Sequence, residues 1–164
     1  SVSFTPRLSG VRIPHRLPNK MKNDQDFKPL GINTVVVASG YFDPIHVGHI
    51  EYLEKARALG DKLIVVVNND KQAKLKKGKS FMPVEDRIKI VSSLNMVDDV
   101  FKALDVDETV TLSLAFLRPD IFAKGGDRSS DEIPEGPVCH NLGIKIVDGL
   151  GEKIRSSSEY TGLK

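Results

Sequence analysis

His46 and His49 are two imidazoles three residues apart, separated by Val47 and Gly48, and they mark the chemistry open to this chain. A neutral imidazole donates one hydrogen bond and accepts another near neutral pH, so two together suit a charged ligand that must be oriented. Gly48 admits a close ligand, and the stretch runs from a loop into a helix start. Free N–H groups and the helix dipole attract phosphate there. Plainer readings exist. A loop histidine is commonly only solvated, and two histidines at this spacing can clasp zinc. No cysteine or carboxylate cluster completes a zinc site, so a phosphate-handling active site is the stronger reading.

The elements that must position these groups follow from the hydrophobic pattern. Thr34-Val35-Val36-Val37-Ala38-Ser39, ending at Gly40, reads as a strand buried on both faces of a parallel sheet. Beyond the histidines, Tyr52, Leu53, Ala56 and Leu59 share one side of a helical wheel, with Gly60 as the expected C-terminal cap. Residues 62–67 form a second strand. Asn68-Asn69-Asp70 and a stretch with Lys71, Lys74, Lys76, Lys77 and Lys79 follow. That stretch reads as a surface loop, either plainly solvated or a mobile cationic lid over a polyphosphate. Pro83 opens a helix with Glu85 and Asp86 near its start and Val84, Ile88 and Val91 as its buried stripe. Arg87 in that helix is either a surface ion-pair partner or a phosphate ligand.

Residues 97–104 read as a third strand and 120–123 as a fourth. Residues 108–117 fit helix or strand; helix is favoured because a parallel crossover requires one. Lys124-Gly125-Gly126-Asp127 is either a turn or a backbone able to lie flat against a base or sugar. Cys139 and His140 fall in a short helix, with His140 read as structural, and residues 144–147 give a fifth strand. Arg155-Ser156-Ser157-Ser158-Glu159 has capping-box spacing, and its hydroxyls beside an arginine also suit phosphate oxygens. The order implies an α/β fold: a Rossmann-like, doubly wound, five-stranded parallel sheet in a single domain over residues 33–164.

At 164 residues the chain suits one domain. Its net charge is +2, and residues 1–20 hold Arg7, Arg12, Arg16 and Lys20 with no acid, which leaves −2 for the remainder. A slightly acidic body argues against nucleic acid as the main partner. One cysteine, Cys139, excludes an internal disulfide and fits a reducing compartment. No apolar run is long enough to cross a bilayer. Residues 1–32 lack periodicity and are broken by four prolines, so they read as a flexible arm. The arm has no secretory core, and the expected location is cytoplasmic. Its basic, acid-free start leaves open an organelle transit remnant or an artefact upstream of Met21. No Gly-x-Gly-x-x-Gly follows the first strand and no Walker loop occurs, which disfavours dinucleotide redox enzymes and P-loop kinases.

Gly40-Tyr41-Phe42-Asp43-Pro44-Ile45-His46-Val47-Gly48-His49 resembles the signature loop of the cytidylyltransferase-like nucleotidyltransferases. Asn68-Asn69-Asp70 with Lys74 and Lys77 is similar to that family's lid, Glu85-Asp86-Arg87 to its Glu-x-Arg helix start, and Arg155-Ser156-Ser157-Ser158 to its closing Ile-Ser-Thr-Thr segment. Lys124 to Asp127 is most similar to the ADP-heptose synthases, while the loop and the size also suit glycerol-3-phosphate cytidylyltransferase. Tyr41 stands where many members carry threonine, and Arg155 replaces an apolar residue.

The resemblance implies transfer of a nucleoside monophosphate from a triphosphate, ATP favoured, to a sugar phosphate or phospho-alcohol, with pyrophosphate leaving. His46, His49 and Lys77 would be catalytic. Gly40, Tyr41, Phe42, Asp43, Gly48, Lys74, Arg87, Gly125, Gly126, Asp127, Arg155, Ser156, Ser157 and Ser158 would bind nucleotide or phosphate. Mg²⁺ would be held mainly by phosphates, with no direct protein ligand. A homodimer is also implied. Two alternatives stay open: a CTP-dependent enzyme acting on glycerol 3-phosphate or a phosphocholine-like acceptor, and a catalytically silent nucleotide-binding module.

Overall fold

The computed structural model describes residues 34–126, 133–150 and 155–162, with the backbone of two short strands near the N-terminus. Those strands, β1 (Arg7–Leu8) and β2 (Val11–Arg12), pair antiparallel, and β2 lies beside the later strand β5 (Asp99–Lys102). The rest of the expected arm falls outside the described residues.

Five strands form one parallel sheet in the order β5-β4-β3-β6-β7. Here β3 is Val35–Gly40, β4 Lys62–Val67, β6 Ile121–Ala123 and β7 Lys145–Val147. Residues 63–67 of β4 are buried without a break, as a strand covered on both faces requires. Helices α1 (Val47–Arg57) and α3 (Val84–Ser92) cover one face, packing Leu53, Ala56, Ile88 and Val91 on Val36, Ala38 and Val65. Helices α4 (Thr111–Leu117) and α5 (Gly136–Leu142) cover the other, through Leu114, Leu117 and Cys139 on Val37 and Phe122. The fold is therefore the expected doubly wound α/β sheet. Among the described residues no helix is long and apolar enough to cross a membrane.

Two local expectations change, and a third holds. The lysine stretch is a helix, α2 (Asp70–Lys77), and not a loop. Asn69 and Gln72 form a reciprocal capping box, the Gln72 amide donates to the carbonyls of Asp107 (2.7 Å) and Thr109 (2.8 Å), and Gly78 closes the helix at φ 85°. Gly60 is not the cap of α1, which ends at Ala58 in the right-handed region. Its small size matters instead, since a Cβ there would sit 2.7 Å from a Val36 methyl and 2.8 Å from the Thr34 carbonyl oxygen. The stretch 108–117 is helix as favoured, over Thr111–Leu117, where the buried Asp105 carboxylate accepts from the N–H groups of Leu112 (2.6 Å) and Ser113 (3.2 Å) at the start of α4.

The strand order reverses beside β3: the chain steps outward to β4 and β5, then returns through α4 to β6 on the other side. The loops after β3 and β6 leave the sheet there in different directions. A crevice at the carboxyl ends results, where ligands bind in open α/β sheets.

Candidate active site

The loop leaving β3 is held in an unusual shape. Phe42 takes φ 52°, a conformation uncommon for a bulky residue, and its ring is buried back over Gly40. A Cβ on Gly40 would lie 3.0 Å from that ring. Asp43 follows, fully buried, with both oxygens engaged. Oδ1 accepts from Met82 N–H (2.7 Å), and Oδ2 from Phe81 N–H (2.8 Å) and Lys77 Nζ (3.1 Å). One carboxylate thus joins the loop to the last turn of α2 and to the segment entering α3.

Arg87 completes that brace. It is completely buried, and all five N–H groups are spent on protein: Nε on Met82 O, one terminal nitrogen on Tyr41 O and Asn68 O, the other on Asp70 Oδ1 and Ser80 Oγ. Neither reading offered by the sequence describes it. The guanidinium ties three segments together from inside and has no donor left for a phosphate.

The two histidines form a capping box. His46 is the N-cap of α1, and its Nδ1 accepts from Gly48 N–H (3.1 Å); His49 Nδ1 accepts in turn from His46 N–H (3.1 Å). A backbone N–H can only donate, so both Nδ1 atoms are unprotonated and each neutral ring carries its proton on Nε2. The rings stack at 3.8 Å. Both side chains are left as Nε2–H donors for as long as the rings keep the orientation that makes these cap bonds.

Burial pushes the His49 pKa down to about 3, with the His46 and Lys77 charges adding to the effect. Burial lowers His46 as well, Glu159 opposing and Arg155 reinforcing. The unfolded chain therefore takes up a proton at His49 below about pH 6.5 that the folded chain declines until near pH 3. This contribution to stability is complete above pH 6.5 and declines as pH falls toward 3. A urea midpoint measured at pH 7 and pH 5 should drop for the native chain and drop less for His49→Asn. Equal drops would mean that His49 is not held neutral.

The C-terminal helix α6 (Ser157–Thr161) reaches the same place. Ser157 Oγ donates to the Pro44 carbonyl (2.9 Å) across 113 positions of sequence, and the Tyr160 ring faces His46 at 6.1 Å. Ser156 caps α6, accepting from Ser158 N–H (3.3 Å), and its hydroxyl lies 2.7 Å from that of Ser158. The reciprocal bond from Glu159 that its spacing suggested is not among the caps of this helix. Arg155 is exposed just before α6.

On the other wall, Tyr52 pins β3 to β6. Its hydroxyl donates to Ala123 O (2.6 Å) and accepts from Ser39 N–H (3.2 Å). Gly125 lies against its ring, where a Cβ would be 3.1 Å from the nearest ring carbon, and Gly126 takes φ 88°. Asp127 lies outside the described residues. Lys74 is exposed on α2, one turn before Lys77. Lys76 and Lys77 place their ammonium groups 4.8 and 5.5 Å from the centre of the Tyr41 ring. The Tyr41 hydroxyl is buried without a partner and burial pushes its pKa up to about 12, so this side chain is a floor for two lysines.

A family model for cytidylyltransferase-like proteins matches residues 37–138, from β3 into α5. The chain belongs to the cytidylyltransferase-like family. Its relatives include the bifunctional protein HldE of Hahella chejuensis (strain KCTC 2396), 37% identical over 124 residues, covering 74% of this chain and 24% of that protein. The FAD synthase of Pyrococcus abyssi (strain GE5 / Orsay) is 37% identical over 115 residues, covering 68% and 75%. This cytidylyltransferase-like chain thus spans about a quarter of the length of the HldE proteins it matches. Among solved structures, the lipopolysaccharide core biosynthesis protein of Thermoplasma volcanium GSS1 superposes with a TM-score of 0.61 at 29% identity, over 73% of this chain and 98% of that one. The pantoate-beta-alanine ligase of Francisella tularensis shares the fold at TM-score 0.52 and 16% identity, over 79% of this chain and 65% of that one.

The family match stops before α6, and the contact of Ser157 with the histidine loop comes from the fold. Tyr160 and Lys76 carried no sequence signal as site residues. One is a lone aromatic in a five-residue helix, the other one lysine among five. Among the described residues no three histidines, cysteines or carboxylates converge to hold a metal, and both Asp43 oxygens are already occupied.

Proposed function

We infer that this chain moves a nucleoside monophosphate group from a nucleoside triphosphate to the phosphate of a phosphorylated small molecule, with pyrophosphate released. The observation that carries the reading is the histidine cap, which leaves two neutral Nε2–H donors beside the serine-bearing helix α6. An acceptor phosphate is already ionised at neutral pH, so no general base or enzyme nucleophile is required. One acceptor oxygen bonds to the α-phosphorus while the bond from that phosphorus to the α–β bridging oxygen breaks, and the electron pair leaves with pyrophosphate. Catalysis then consists of orientation and charge stabilisation.

His46 and His49 donate to the triphosphate, and Gly48 lets it approach the start of α1. Lys77, Lys74 and Arg155 supply positive charge, and Ser156 to Ser158 supply hydroxyls. Gly125, Gly126 and Asp127 face the nucleoside. Gly40, Tyr41, Phe42, Asp43 and Arg87 act by shaping the loop. Mg²⁺ would come with the triphosphate and not from a protein ligand set, and it would supply neutralisation of phosphate charge beside Lys74, Lys77 and Arg155. A cytoplasmic homodimer belongs to the same reading, and sedimentation would test the assembly.

ATP is favoured by Lys124 to Asp127 and by the likeness to a protein named FAD synthase, whose product contains adenosine. CTP remains the second reading, on the strength of the family itself. Incubation with each of the four triphosphates and Mg²⁺, against a panel of sugar phosphates and phospho-alcohols, decides both by pyrophosphate release. Binding of nucleotide without release across that panel would favour a silent module.

Lys77→Ala should raise the triphosphate KM and lower kcat, on the order of tenfold each, because one ammonium no longer neutralises phosphate charge. Unchanged values of both would remove Lys77 from the site. Asp43 keeps two backbone N–H partners in that variant but loses the ammonium beside a buried carboxylate, so the thermal midpoint should fall as well, and kcat and KM are read at a temperature where the variant is folded.

A further inference from the structure

Four rings form a column from the core to the surface. Phe42, 1% exposed, lies 4.9 Å from the His49 ring; His49 stacks on His46 at 3.8 Å; and Tyr160, 56% exposed, faces His46 at 6.1 Å with the planes 24° apart. Each imidazole thus has a ring on either side. The inner one is fixed by the core, while the outer one rests on a residue from the far end of the chain. His46 has one hydrogen bond of its own, Nδ1 to Gly48 N–H, and rotation about its ring bond would swap or break it. Helix α6 has no buried residue, and it meets the loop through Ser157 on Pro44 and Tyr160 on His46.

The geometry points to Tyr160 as a positioning residue that covers the outer face of His46 and holds that ring with its Nε2–H turned toward the triphosphate. The catalytic part of this role rests on the nucleotidyl-transfer reading. The ring, and not the hydroxyl, does the work, because near-parallel rings at this separation attract as an offset pair through their π-systems. Arg155 and Glu159 flank His46 from the same end of the chain and neutral His49 from α1, and all three stay in place when only the Tyr160 ring is removed.

The test has two arms on the intact chain: ¹⁵N-edited NMR of the imidazoles without ligand, and steady-state kinetics with the triphosphate and acceptor that release pyrophosphate. The native chain and Tyr160→Phe should both show His46 as a single Nε2–H tautomer. Tyr160→Ala should show an averaged one, with kcat about tenfold lower, the scale of a slightly misplaced group, and the triphosphate KM changed less than kcat. Unchanged His46 signals in Tyr160→Ala would overturn the proposal. So would altered signals with unaltered kcat, or a rise in KM alone, which would mark Tyr160 as a mere anchor of α6. If the native chain releases no pyrophosphate, the reaction assignment fails, and the ligand-free tautomers still decide whether Tyr160 holds the ring.

Discussion

His49→Asn should lower kcat by about 10²-fold or more, the scale of one lost preorganised donor, while the protein remains folded. Asparagine is the informative replacement because its side-chain oxygen can stand where His49 Nδ1 accepts from His46 N–H, whereas nothing replaces Nε2–H. His49→Ala removes both, and should cost about 1 kcal/mol of stability for the lost cap in addition to the same loss of turnover. Circular dichroism and a urea midpoint separate the two effects. Near-native kcat in His49→Asn would take this imidazole out of the chemistry and leave it as a helix cap.

Arg87→Ala should destabilise the fold by about 3–5 kcal/mol, the cost of removing one partner from a buried charged network. Three carbonyl oxygens (Met82, Tyr41, Asn68) lose a guanidinium donor at once, and Asp70 loses its cation while keeping Ser80 Oγ and Val84 N–H. Arg87→Lys should recover little, since an ammonium offers three donors from one point and cannot span segments arranged around a planar fork. The midpoint of urea unfolding measures both. A loss within about 1 kcal/mol for Arg87→Ala would mean that the guanidinium is free to serve a ligand. Turnover should fall with stability, because Tyr41 and Met82 flank the histidine loop.

The strands were legible because β3 and β4 are covered on both faces and read as unbroken apolar runs. The front of α1 was legible for a different reason: two histidines astride a glycine stood out by type. Helix α2 was not, because four lysines in eight residues leave no apolar stripe. Its ends are set by side-chain caps at Asn69 and Gln72 that resemble a loop when read linearly. Arg87 and Asp43 were misplaced in the same way. A charged residue carries no mark of burial until its partners are known, and theirs come from three separate segments. The approach of Ser157 to Pro44 could be expected from the reversal of strand order, which brings loops distant in sequence to one edge. The ring contact between Tyr160 and His46 could not, since it depends on which face of a five-residue helix turns inward. Within the expected arm the paired strands β1 and β2 carry backbone order that the proline-broken sequence did not suggest, while the rest of residues 1–32 and Asp127 lie outside the described residues.

Whether the two imidazoles and the serine-bearing helix serve one triphosphate is measured directly by a crystal structure with a non-hydrolysable nucleoside triphosphate. His46 and His49 Nε2 should lie within hydrogen-bond distance of phosphate oxygens, with at least one of Ser156, Ser157 and Ser158 on the same triphosphate. A nucleotide seated elsewhere, or one touching the histidine loop with residues 156–158 turned away, would contradict the shared site.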